Sequence, residues 1–149
     1  MFGLVTDDMP AKVISFPSYT PILSTNVYLA ARYDRLHEMQ GYRDLLEGAG
    51  YSVVARWVNG EHEAYEGHHN TCINSAFAKE DVEDVIRSDW VISFGESPDS
   101  TTRRGRRHVE FGIAVGLKKR LILIGHRENV FHHLPQVEFY RSWQEFWPE

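Results

Sequence analysis

The feature that most constrains this chain is a regular alternation of apolar runs with segments of helical periodicity. Leu121-Ile122-Leu123-Ile124 is apolar at every position, as a strand covered on both faces of a sheet must be. Val27-Tyr28-Leu29-Ala30-Ala31 and Trp90-Val91-Ile92-Ser93-Phe94 are similar runs. Tyr51–Trp57, rich in β-branched and aromatic residues, and the short Val137–Tyr140 complete five expected strands. Between them, Leu36, Met39, Tyr42, Leu45, Leu46 and Ala49 recur at helical spacing ahead of Gly50. Ser75–Ser88 and Arg106–Lys118 are expected to be further helices, with a last one near Trp143–Trp147. Polar stretches with glycine, from Val58 to about Asn74 and Glu96–Gly105, form loops. Strands alternating with helices predict right-handed βαβ units, hence an α/β three-layer sandwich around a five-stranded, mainly parallel sheet. Ligands of such sheets bind at the carboxyl ends of the strands, which here means after Ala30, after Phe94 and after Ile124.

The 149 residues suit one domain with a real core. Residues 1–25 carry Pro10, Pro17 and Pro21 and at most a short strand at Val13–Phe16. They are expected to be an arm laid over the domain of residues 26–149 or against a partner subunit. The first ten residues bear acids where a secretory signal carries bases, no apolar run is long enough for a membrane helix, and Cys72 is the single cysteine. A cytoplasmic protein without membrane association is expected. A net charge of −5 argues against binding polymeric nucleic acid. GxGxxG, P-loop and G-x-S-x-G sequences are absent, and the paired histidines His68-His69 and His132-His133 lack metal-ligand spacing. Neither a cofactor nor a metal is expected.

Three places carry residues suited to chemistry. In the helix Ser75–Ser88, Phe77, Ala78, Val82, Val85 and Ile86 form the apolar stripe, while Glu80, Glu83, Asp84 and Arg87 project elsewhere as solvated residues. Asp81 falls between Phe77 and Val85, inside the stripe. A carboxylate there is either hydrogen-bonded for structure or lines a site. In the helix Arg106–Lys118, apolar residues surround nearly the whole circumference, so burial on most sides is expected. Glu110 is its only acid and lies in the first turn or so, where the helix dipole favours a negative charge. It is either a carboxylate nucleophile or a buried partner of one of the nearby arginines. Arg103, Arg104, Arg106 and Arg107 cluster around Gly105 at that helix's start, which is either a solvated loop or a phosphate site. Tyr28 and Arg32 flank the end of the first strand. Tyr28 is either a core aromatic or the group that orients a carboxylate.

The succession Val27-Tyr28-Leu29-Ala30-Ala31-Arg32, then Asp81 with Asp89 eight positions later, then Gly105-Arg106-Arg107-His108-Val109-Glu110-Phe111-Gly112, resembles the nucleoside 2-deoxyribosyltransferase family over roughly residues 26–125. That family includes related nucleoside 5′-monophosphate N-hydrolases. The resemblance implies a flavodoxin-like, Rossmann-like fold and a small-molecule nucleoside or nucleotide substrate. It implies that Glu110 attacks the anomeric carbon to form a glycosyl-enzyme ester, that Tyr28 positions that carboxylate, and that Asp81 holds the sugar and assists departure of the base. Asp89 matches an acid at the start of the third strand. Arg32, Gly105, Arg106 and Arg107 are then candidates for substrate contact. Family members are homo-oligomers in which a neighbouring subunit completes the site, a role Asn129 or His132 would fill. The paired carboxyls match the logic of a retaining glycosidase. A second nucleobase takes the sugar in a transferase and water takes it in a hydrolase. The loop before Glu110 is more basic than a nucleoside needs, whereas Ala31 and Arg32 stand where the hydrolases offer serine and glycine to phosphate. A non-catalytic nucleotide-binding module, or an interaction protein using the aromatic C-terminus, are the readings of other classes.

Overall fold

The computed structural model describes residues 24–60, 71–100 and 105–147. Its sheet is built from β1 (Asn26–Ala30), β2 (Ser52–Val53), β3 (Trp90–Phe94), β4 (Arg120–Ile124) and β5 (Val137–Tyr140), in the order β2-β1-β3-β4-β5. All four pairings are parallel, with Tyr28 level with Val91, and Ile92 with Ile122. The helices are α1 (Leu36–Gly48), α2 (Thr71–Arg87), α3 (Arg106–Gly116) and the short α4 (Trp143–Phe146). The expected α/β sandwich is therefore present, with a wholly parallel sheet. The expected arm and its strand at Val13–Phe16, the histidines His62, His68 and His69, and Arg103 and Arg104 lie outside the described residues.

The apolar runs form the central strands because nothing else in the chain can be enclosed on two sides. Val27, Tyr28, Leu29 and Ala30 are fully buried, as are Ile92 and Ile122. On one face Tyr42 of α1 stacks on both Trp143 of α4 and Phe94 of β3, at centroid distances of 4.1 and 5.4 Å. Phe146 and Trp147 pack against the same core, so the aromatic C-terminus spends its side chains inside the domain. Helices α2 and α3 pack against each other beside the central strands.

Several boundaries differ from the sequence expectation, each for a local reason. The second strand does not run on to Trp57. After Val53 the chain turns into a 3-10 helix at Arg56–Asn59, closed by Gly60 at φ 89°. There the Trp57 indole N–H donates to Leu29 O at 2.8 Å and the Arg56 N–H donates to Asp84 Oδ2 at 2.9 Å. These contacts hold the segment under β1 and α2, where an extended edge strand would not reach. Helix α2 is already helical at Thr71, four residues before the expected Ser75. Its buried line is Asp81, Asp84 and Val85, whereas Val82 and Ile86 are exposed. Asp84, expected in solvent, is fully buried and ion-paired with Arg56 and Arg87. Helix α3 is not buried on most sides either: Val109 is 63% and Leu117 46% exposed. Helical wheels give the angle between side chains but not which sector meets the sheet, and apolar residues occupy both sectors of these two helices.

Because β1 connects leftward to β2 and the chain then crosses to β3, the direction of winding reverses between β1 and β3. A crevice opens at the carboxyl ends of strands at such a point. Beside it, the loops leaving β3 and β4 nearly touch. A Cβ on Gly95 would stand 1.8 Å from His126 O, and one on Gly125, at φ +108°, 2.7 Å from Gly95 O. Gly95→Ala forces backbone against backbone, and overpacking of this kind destabilises by about 1–3 kcal/mol. Urea denaturation of the Gly95→Ala protein is expected to show a loss in that range or beyond; a midpoint equal to wild type would contradict the contact.

Candidate active site

Tyr28 is the third residue of β1, a strand buried from Val27 onward, and alternation turns its ring to the side occupied by α2 and α3. Its hydroxyl donates to Glu110 Oε2 at 2.8 Å. Burial, followed by the neighbouring Glu110 charge, raises the phenol's pKa well above its ordinary value, so it holds its proton and acts as a donor. Glu110 is the fifth residue of α3 and only 7% exposed. Asp81, on the buried line of α2, comes within hydrogen-bonding reach of Glu110. Arg106, one turn before Glu110 on α3, donates to Asp81 Oδ2 at 2.7 Å. The structure thus brings together Tyr28, Asp81, Arg106 and Glu110 from three elements at the β1–β3 switch.

The charge state of Glu110 differs from the sequence expectation. No acid lies in the first turn of α3, and the dipole's influence fades beyond that turn. Burial dominates instead, followed by the charge of Asp81. Together they outweigh the Tyr28 hydrogen bond and Arg106, and push the Glu110 pKa up to about 8. At neutral pH Glu110 is therefore mainly protonated, and Asp81 faces the guanidinium of Arg106. That guanidinium is itself penalised by burial, but the bond to Asp81 raises its pKa on balance.

The other expected site residues are placed as follows. Arg32, at the end of β1, donates to Ser100 Oγ at 3.0 Å and pairs with Asp34, so it lies at the crevice rim. Gly105 precedes α3. Arg107 turns away from Glu110; it is buried and pairs with Glu128. Glu128 also accepts the Glu96 N–H at 2.9 Å, and its own N–H donates to His132 Nδ1 at 2.8 Å. This clip joins the β3 and β4 loops to the start of α3. Its parts, Glu96, Glu128 and His132, were not legible as a unit because they share no spacing. His132 is enclosed in its own chain, edge-on to Phe111 at 4.8 Å, which removes it as a residue reaching a neighbour. Asn129 caps the 3-10 helix Val130–His133 by accepting the Phe131 N–H at 2.9 Å. Asp89 lies at the opposite, amino end of the sheet, where Oδ2 accepts the Asn26 N–H at 2.8 Å; its position is that of a structural brace. Ser93, buried near the carboxyl end of β3, is on the same side of the sheet as Tyr28 by register; a lone serine inside an otherwise apolar strand carries no sequence signal of a site. Among the described residues no group of three His, Cys, Asp or Glu is arranged to hold a metal ion, and no helix is long and apolar enough to cross a membrane.

A carboxyl that binds its proton more tightly folded than unfolded makes the fold less stable as pH rises from the ordinary carboxylate value toward 8. Glu110→Gln removes that group. The variant is expected to melt above wild type, with the gap widening between pH 5 and pH 8 to at least about 1 kcal/mol, the worth of roughly one pKa unit. A constant or shrinking gap across that range in differential scanning calorimetry would contradict the raised pKa.

No protein-family model and no curated protein sequence matches the chain. Solved structures do. The Clostridium botulinum CMP N-glycosidase BcmB is 22% identical, with 82% of this chain and 95% of that one covered, at a TM-score of 0.52. A 2-deoxyribosyltransferase from the psychrotolerant bacterium Bacillus psychrosaccharolyticus is 18% identical, with 84% and 92% covered, at a TM-score of 0.64. The chain has the three-layer α/β fold of these two nucleoside- and nucleotide-processing enzymes along nearly their whole length.

Proposed function

We propose that the protein cleaves the N-glycosidic bond of a nucleoside or nucleotide through a glycosyl ester on Glu110. The observation that carries this is the 2.8 Å bond from Tyr28 to Glu110 with Asp81 alongside. One carboxyl oxygen is held by a protonated phenol, and two carboxyls share one proton at the switch point of the sheet. That proton is what the leaving base requires. Glu110 passes it to Asp81. A Glu110 oxygen then bonds to C1′ as the C1′–N bond breaks, the electron pair of that bond leaves with the base, and Asp81 protonates the base nitrogen. In the second half an acceptor attacks C1′, the ester bond breaks, and the acceptor's proton goes to Asp81. With a second nucleobase as acceptor the enzyme is a deoxyribosyltransferase, the first alternative. With water it is an N-glycosidase, an outcome for which the likeness in fold to a CMP N-glycosidase speaks.

The same proposal includes a homo-oligomer. Val109 of α3 and Val130 and Phe131 of the 3-10 helix that packs on α3 are exposed, the latter two by 76% and 61%. A second copy of the chain covering them would sit at the rim of the site.

Deoxynucleosides and deoxynucleoside 5′-monophosphates, incubated with and without an acceptor base, are expected to release free base. Release should fall more than about a thousandfold in Glu110→Gln. The rate is expected to decline above about pH 8 as the pair loses its last proton. Binding with no base release from any substrate would replace catalysis by a sensing role, and equal release by wild type and Glu110→Gln would remove Glu110 as nucleophile.

A further inference from the structure

Arg106 is drawn to the site by chemistry that phosphate recognition does not explain. It leaves the first turn of α3 and bonds to a carboxylate of a different helix at 2.7 Å. Asp81 is nearly enclosed while Arg106 keeps about two-fifths of its side chain in solvent. The ion pair therefore lies at the mouth of the site, with the charged carboxylate inside and its counter-charge outside. The groups facing Glu110, among the described residues, are Tyr28 from β1, Asp81 from α2 and Arg106 from its own helix. Arg107 and His108, its other charged or titratable neighbours on α3, lie toward Glu128 instead. Arg106 is thus a cation that bears on both members of the carboxyl pair.

We propose that Arg106 is a positioning residue for this pair: it fixes the Asp81 carboxylate beside Glu110 and sets the pH window in which the two carboxyls hold a single proton between them. The physical reason is charge balance. Two adjacent buried carboxylates repel, so the pair sheds its second proton only with difficulty. A guanidinium 2.7 Å from one of them offsets one negative charge. Without it both steps of the pair move to higher pH. Asp81 would also lose its 2.7 Å bond to Arg106. The inference rests on the proposed glycosyl transfer for its role in catalysis, but the electrostatic coupling is measurable without turnover.

The test uses the full chain with three variants, Arg106→Gln, Arg106→Lys and Glu110→Gln. Carbon-13 NMR of glutamate-labelled protein, with Glu110→Gln providing the assignment, follows the titration of Glu110. In parallel, kcat/KM for base release is measured from pH 4 to 10. Arg106→Gln is expected to move the Glu110 midpoint, and both limbs of the pH–rate profile, upward by about one unit or more, and Arg106→Lys to return them toward wild type. A lower rate with limbs and midpoint unmoved would overturn the proposal and leave Arg106 a structural or substrate contact. A shifted NMR midpoint with no base release by the wild-type protein would uphold the coupling while sinking the proposed function.

Discussion

Two carboxyl groups enclosed side by side cannot both be ionised without a large electrostatic penalty, and the core of this protein is arranged around that fact. Glu110 and Asp81 come from different helices, yet they converge where Tyr28 supplies a hydrogen bond and Arg106 a charge. The pair binds α2 to α3 through Arg106 and α3 to the sheet through Tyr28. The contacts that pack the helices therefore also set the surroundings of the Glu110 proton.

The remaining buried charges obey the same rule by other means. Asp84 is neutralised by Arg56 and Arg87 and also accepts a backbone N–H. Arg107 is neutralised by Glu128, which in turn accepts a backbone N–H. Each is a closed unit with its hydrogen bonds directed at the backbone of a neighbouring segment, the pattern that makes a buried ion pair tolerable. The Glu110–Asp81 pair differs because it holds one proton too few to be neutral and one too many to be fully charged. That intermediate state separates this pair from the closed ion pairs around it.

The strands were legible because residues enclosed on two faces must be apolar, and β3 and β5 begin and end where that pattern places them. Glu110 and Asp81 stood out because an acid on an apolar face has no inexpensive solution. Tyr28 became informative only through its resemblance to a known motif, since a tyrosine in a core strand is ordinary. Three things were not legible. Val82 and Ile86 look like core residues on a wheel but face outward, because the sheet selects the sector holding Asp81 and Asp84. The clip of Glu96, Glu128 and His132 joins loops far apart in sequence. The ionisation of Glu110 depends on enclosure and on Asp81, which are tertiary properties, and these override the local dipole.

The near-contact of Gly95 and Gly125 has a mechanical consequence. Two loops whose backbones already touch cannot swing independently, and Glu128 ties both of them to the first turn of α3. The floor of the crevice on the β3–β4 side is therefore one rigid plate. A shift of either loop is therefore passed to the other and, through Glu128 and Arg107, to the first turn of α3.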